Sequence, residues 1–255
     1  MRGDGQAVLH ISGIQGVGTA GSKRSTSYPS GTSHLVGPKR LRHMLFIFLE
    51  VFVEDRLMEN KAFRVILLGI EEIVGENGLK SVLNYSGLTK YIDNLPPNDT
   101  EKGGPRISES TRLDVAIEEV FGKQGARAIL FQVGRMIAKW GLDENPDVAQ
   151  AAQSAFSTMS ERDRAKTILT YAANEISIQL NTETWVEEDG DDFLIKDKAC
   201  TYCYGRTSDA PVCHPANGFW AGLVDWAVGN KEWRAKETSC TAMGEPFCTC
   251  RVYKE

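Results

Sequence analysis

No cysteine appears before position 200; Cys200, Cys203, Cys213, Cys240, Cys248 and Cys250 all lie in the C-terminal part. Secreted disulfide scaffolds are short and spread their cysteines along the whole chain, so this distribution argues against one. Reduced or metal-bound thiols in a reducing cytoplasm are the expectation. Long apolar runs are also missing. The strongest, Met44 to Val53 (MLFIFLEVFV), is interrupted by Glu50 and has about half the ~20 residues a bilayer span needs. Lys39, Arg40 and Arg42 precede it as in a signal peptide, but it starts too far from the N-terminus and no small-residue cleavage site follows. A short buried or interfacial helix is expected there, with no membrane span. Positive charge is not in surplus: 29 Lys and Arg stand against 34 Asp and Glu, which gives no reason to expect nucleic acid or an anionic membrane as partner. A dinucleotide fingerprint is lacking too. Gly16, Gly18 and Gly21 have the formal spacing, but no helix pattern follows them and the next acid is Glu50.

What is present is a soluble globular composition, 42% hydrophobic and 25% charged, in a chain long enough for one good-sized domain plus a helical appendage. Residues 1–43 are rich in Gly, Ser and Thr and read as a disordered extension. Met44 and Met58 lie close to where folded-looking sequence begins, as a start codon placed too early would leave them. Residues 44–105 read as an N-terminal helical segment. Phe63, Ile66, Leu67, Ile70, Ile73 and Val74 recur at helical spacing, with Asn60 as N-cap and Gly75 as stop. A second helix is expected from Leu79 to Ile92, ended by Leu95-Pro96-Pro97, with a linker up to about Ile107. A third helix carries Leu113, Ile117, Val120 and Phe121. A fourth runs from Ala126 to Trp140 and stops at Gly141. Ser160 and Asp163 form a variant capping box for a fifth, with Ile168, Leu169, Ala172 and Ile176 on its face. From Ile176 to Glu187 the period changes to two, as it does over Phe193–Asp197, and Glu188–Asp192 between them reads as a solvated hairpin turn lacking calcium-loop spacing. Pro215–Val228 reads as a helix apolar on two faces. Gly218 and Gly222, one turn apart on it, would let another backbone approach. Two strands follow, Glu232–Thr241 and Phe247–Tyr253. The order implies an α+β domain with an antiparallel sheet and packed helices.

Cys213-x23-Glu237-x2-Cys240-x7-Cys248 is the feature that carries chemistry. Thiolates gathered from separate segments suit a tetrahedral zinc ion, and four protein ligands leave no open position, so the role would be structural. One geometric objection stands. Glu237 and Cys240 are three apart, so a regular strand would point them to opposite faces. A bulge near Thr238-Ser239 is needed, and no residue there announces one. His214 and Cys250 are therefore alternative fourth ligands, and Cys250 is equally readable as a small core residue. Cys200-x2-Cys203 is a second thiol pair with three readings: further metal or cluster ligands, a redox pair, or ordinary loop thiols.

The stretch Cys213–Cys250, with its Cys, glycine-containing helix, Glu-x2-Cys-x2-Met-Gly-x3-Cys and final strand, resembles the 4-vinyl-reductase (4VR) domain, a predicted hydrocarbon-binding domain. The resemblance extends over about residues 106–255. It implies a fold similar to small vesicle-tethering subunits and haem-based nitric oxide sensors, often dimeric. Family members include proteins tied to bacteriochlorophyll synthesis and the phenol-sensing domains of transcription activators, in which a Cys, Glu, Cys, Cys set binds structural zinc. By motif that set corresponds to Cys213, Glu237, Cys240 and Cys248. A stand-alone chain of this build is most similar to the bacteriochlorophyll-associated members.

Three functions follow. The first is binding of an apolar small molecule, a tetrapyrrole or aromatic hydrocarbon, as carrier or sensor. The pocket would lie between helices and sheet, with Phe131, Met136, Trp140, Tyr171, Trp185, Tyr202 and Phe219 as candidate lining. The second is reduction of the C8 (4-)vinyl group of a bacteriochlorophyll precursor, although no nicotinamide or flavin motif accompanies it. The third is a dimerising interaction subunit that uses the Gly218/Gly222 face, and a homodimer is expected.

Overall fold

The computed structural model describes residues 55–255. The extension 1–43, its glycine motif and the helix expected over Met44–Val53 lie outside the described residues. Helix α1 (Asn60–Tyr85) is interrupted at Gly75, whose positive φ of 74° a residue with a Cβ rarely adopts. Gly75 thus ends the first helical run as expected, but helix resumes directly and stops at Tyr85. Thr89–Tyr91 forms only a 3-10 turn, where helix to Ile92 was expected. The N-cap position is Glu59 rather than Asn60; the Asn60 side chain instead donates to Asp99 Oδ1 at 2.9 Å. Helix α2 (Ile107–Asp143) joins the expected third and fourth helices across a break at Gly122, φ 72°.

Helix α3 (Pro146–Phe156) was not anticipated. Helix α4 (Glu161–Leu180) opens on the expected cap, the Asp163 amide donating to Ser160 Oγ at 3.1 Å. It then continues through Ile176–Leu180, read above as strand, and ends at Asn181 in the left-handed region. Strands β1 (Thr184–Asp189) and β2 (Asp192–Asp197) form the expected hairpin around Gly190. Helix α5 (His214–Val228), β3 (Trp233–Ser239) and β4 (Cys248–Lys254) follow. The four strands pair antiparallel in the order β1-β2-β4-β3.

Alternation sets the layers. Phe193 and Ile195 of β2 face the same side as their cross-strand partners Val252 and Cys250 of β4. All four are buried, in one core with Leu169 of α4 and Trp220, Leu223 and Val224 of α5. The intervening Arg251 is exposed and Leu194 half-buried, so one sheet face packs and the other meets solvent. A second core joins α1 (Phe63, Leu67, Ile70) to α2 (Leu113, Ile117, Leu130).

Helices α2 and α5 pack backbone to backbone. A Cβ on Gly134 would lie 1.9 Å from the carbonyl oxygen of Pro215, and one on Gly218 would lie 1.8 Å from that of Phe131. At Gly222 the nearest neighbour would be the Ala138 methyl, at 3.1 Å. The close approach anticipated at Gly218 and Gly222 is therefore made within the chain, by α2. Among the described residues no helix is long and apolar enough to cross a membrane.

Candidate metal centre

The polar end of the sheet carries the site. Cys213 sits at the N-cap of α5, Cys248 opens β4, and Cys240 directly follows β3. The strand geometry that argued against joining Glu237 to Cys240 is broken where it had to be. Across β3 and β4, Glu237 pairs with Cys250 while Ser239 pairs with Thr249, a register shift in which two steps on β3 match one on β4. Such a bulge re-aims the side chains beyond it. Ligand atoms of Cys213, Glu237, Cys240 and Cys248 consequently all lie within 4.8 Å of one another, and all four residues are buried.

The sulfur of Cys213 is 3.7 Å from that of Cys240 and 3.8 Å from that of Cys248, and Cys240 and Cys248 are 3.9 Å apart. A tetrahedron with metal–sulfur bonds of about 2.3 Å has edges of about 3.8 Å. The Cys213 amide donates to Glu237 Oε2 at 2.7 Å. Glu237 Oε1 is buried with no partner, the position of an acceptor awaiting a cation. Burial raises the carboxyl's pKa above the ordinary range.

The second thiol pair joins the same cluster. Cys200 and Cys203 flank the 3-10 turn Thr201–Cys203, in which side chains three apart eclipse. Cys200 lies 3.5 Å from Cys213, and Cys203 lies 3.4 Å from Cys248. Cys200, Cys203, Cys213 and Cys248 thus form a second group of four donors within 4.8 Å. Hydrogen bonds from Cys200 first, then from Cys213, Cys240 and Cys248, hold the Cys203 thiol well below its ordinary pKa. The bond to Cys203 pushes Cys200 up to about 12, and the bond to Cys200 pushes Cys213 and Cys248 up as well. One negative charge is therefore shared among thiols that a cation would deprotonate.

The alternative ligands stand apart. Cys250 points at Asn217 Oδ1, 3.1 Å away, and belongs to the apolar core; His214 is in neither donor group.

The residues expected to line a pocket do not converge. Tyr202 packs on the thiol cluster, Phe219 lies edge-on to Trp220 and Trp185 edge-on to Phe247. Trp140 sits under Lys61, Met136 lies beside Gly69 on α1, and Tyr171 is 46% exposed. Phe131 lines a groove of about 410 Å³ with Arg127, Arg135 and Asp225. Sequence reasoning missed a different groove, about 380 Å³, between the end of α1, the start of α2 and the loop after Cys203; Tyr85, Thr111, Val115, Ala116 and Tyr204 line it. Beneath that region Asp114 is buried with Oδ2 unpartnered, and Arg206 pairs with Glu118 at 2.6 Å.

Residues 194–254 match the 4-vinyl-reductase (4VR) domain family. No curated protein matches the chain. Among solved structures, a point mutant of the T. tengcongensis H-NOX protein aligns over 78% of this chain and 98% of its own, at 12% identity and a TM-score of 0.52. A double mutant of the Tt H-NOX protein covers 78% of this chain and 95% of its own at 15% identity, TM-score 0.50. A structure that addresses haem redox potential modulated through protein-induced porphyrin distortion covers 77% and 99% at 13% identity, TM-score 0.50. At these identities the likeness is one of fold.

Proposed function

We propose, from a chain whose residues 194–254 are a 4VR domain, that this protein binds an apolar small molecule as its carrier or sensor, and that a structural zinc ion stabilises the domain. The observation that carries the zinc is the convergence of Cys213, Glu237, Cys240 and Cys248, with sulfur separations of 3.7 to 3.9 Å and a buried, unpartnered carboxylate oxygen. Donors of this kind suit zinc and fill its shell, so the ion supplies a cross-link rather than a reactive water. Cys213 would fix the start of α5, Glu237 and Cys240 the end of β3, and Cys248 the start of β4.

The ligand site we favour is the groove of about 380 Å³ beside this cluster. Its size falls in the range of small-molecule sites, which are mostly apolar with few polar groups. Tyr204 on its wall follows Cys203 directly, so a metal-held cluster would also hold that wall. A porphyrin is named for one protein of the same fold, and tetrapyrroles therefore head the ligand panel, with aromatic hydrocarbons second. A reductase would need Cys200 and Cys203 as a free electron-donating pair; they abut Cys213 and Cys248 instead, which favours binding over reduction.

The test is titration of the purified full chain with porphyrins and aromatic hydrocarbons, followed by tryptophan fluorescence and native mass spectrometry. Saturable binding by at least one class is expected. Val115→Trp, which fills the groove, should weaken it about tenfold or more, equivalent to roughly 1.4 kcal/mol. Flat titrations across the panel overturn the reading.

A further inference from the structure

We infer that this chain holds two divalent metal ions, the second bound by Cys200 and Cys203 together with Cys213 and Cys248, whose thiolates bridge it to the first. The inference rests on the zinc site proposed above and extends it. Five thiols and one carboxylate fall into two overlapping groups of four, each with all its ligand atoms within 4.8 Å, and the groups share Cys213 and Cys248. Two tetrahedra that share an edge need this arrangement: two bridging donors and two terminal donors on each side.

The separations agree with it. The shared edge Cys213–Cys248 is 3.8 Å, the length of a zinc–thiolate tetrahedron's edge, about 3.8 Å. The added thiols approach the bridging sulfurs: Cys200 is 3.5 Å from Cys213, and Cys203 is 3.4 Å from Cys248. Spacing agrees as well, because Cys-x2-Cys is a common zinc-ligand pair, and here it brackets a 3-10 turn that sets both side chains on one side.

A single ion explains less. It would leave Cys200 and Cys203, 6% and 4% exposed, packed against metal-bound thiolates with no ligand role. Cys250 shows how the fold treats a spare thiol: it is buried to the same extent but turned away toward Asn217. Charge argues the same way. Six deprotonated donors around one divalent ion would leave a net charge of −4 in a buried site, and a second ion halves it. No electron transfer is involved; each thiol that binds releases a proton to solvent.

The experiment counts metal in the full chain, purified under reductant, loaded with Zn²⁺, desalted and measured by elemental analysis and native mass spectrometry. Two ions per chain are expected in the wild type and one in the Cys200→Ser, Cys203→Ser double variant. One ion in both overturns the second site and leaves the proposed zinc site standing. No ion in either overturns both. Two ions in both would mean that the second lies elsewhere, which also overturns the inference. Should the double variant fail to fold, wild-type protein loaded with Co²⁺ gives the answer. Ions bridged by two thiolates couple magnetically and lose their separate paramagnetic signals, whereas two uncoupled signals, or a single ion, contradict the bridge.

Discussion

Glu237 accepts the Cys213 backbone amide at 2.7 Å through one carboxylate oxygen and leaves the other buried without a partner. The bond fixes the direction of the free oxygen, so the start of α5 aims the ligand that β3 supplies. Glu237→Gln keeps an acceptor for the amide and removes the anionic donor. Metal affinity should fall by at least about tenfold, the least that losing even a supporting group around a metal typically costs, with an unchanged far-ultraviolet spectrum. Competition against a chelating dye measures it, and equal affinity would remove Glu237 from the ligand set.

Metal removal should loosen the sheet end first, since α5, β3 and β4 meet there. An ion present at 1,000 times its dissociation constant stabilises by about 4 kcal/mol. For a domain of this size that corresponds to about 8–16 °C in Tm. Thermal unfolding with and without chelator checks it, and re-added zinc should restore the original Tm.

The crossing of α2 and α5 allows no side chain at its centre. Gly218→Ala would place a methyl 1.8 Å from the Phe131 carbonyl oxygen, and Gly134→Ala one 1.9 Å from that of Pro215. Each should cost about 3 kcal/mol or more, as backbones are forced apart. Gly141, in α2 but with nothing within 4 Å of its would-be Cβ, is the control: alanine there should be neutral or stabilise by up to about 1 kcal/mol. Urea unfolding of the three variants separates them.

Burial first, then the nearby Glu118 carboxylate, lifts Asp114 well above the ordinary carboxylate range, against an opposing pull from Arg206. The folded chain therefore keeps this proton to higher pH than the unfolded chain does. The sign follows: stability from this group is full in acid and is lost as pH rises from the ordinary carboxylate value through the raised folded one. Each tenfold difference in proton affinity is worth about 1.4 kcal/mol. Asp114→Asn removes that loss, so its stability relative to wild type should increase between pH 5 and pH 8. Comparing the two proteins at each pH cancels the effect of acid on the metal.

Periodicity made most of this fold legible. Phe63, Leu67 and Ile70 marked the α1 face that meets α2, and the Ser160–Asp163 cap marked the start of α4. The alternation over Ile176–Leu180 misled because these residues contribute the last turn of α4; helix already under way from the cap prevailed over the two-residue pattern. Helix α3 did carry a signal, Asn145 before Pro146 at its first turn, that went unread. The metal ligands were legible by residue type and spacing, but the bulge that unites them was not. Thr238 and Ser239 include neither Gly nor Pro, and the shift arises from pairing with β4. That Cys200 and Cys203 reach Cys213 and Cys248 depends on how the chain returns after β2, which no spacing encodes. The groove beside Tyr204 likewise arises from three segments distant in sequence.

X-ray absorption at the zinc edge of natively purified protein tests the central claim most directly. The account predicts a tetrahedral shell dominated by sulfur at about 2.3 Å with a minor oxygen contribution at about 2.0–2.2 Å. A shell of oxygen and nitrogen alone, or protein that carries no zinc, would contradict it.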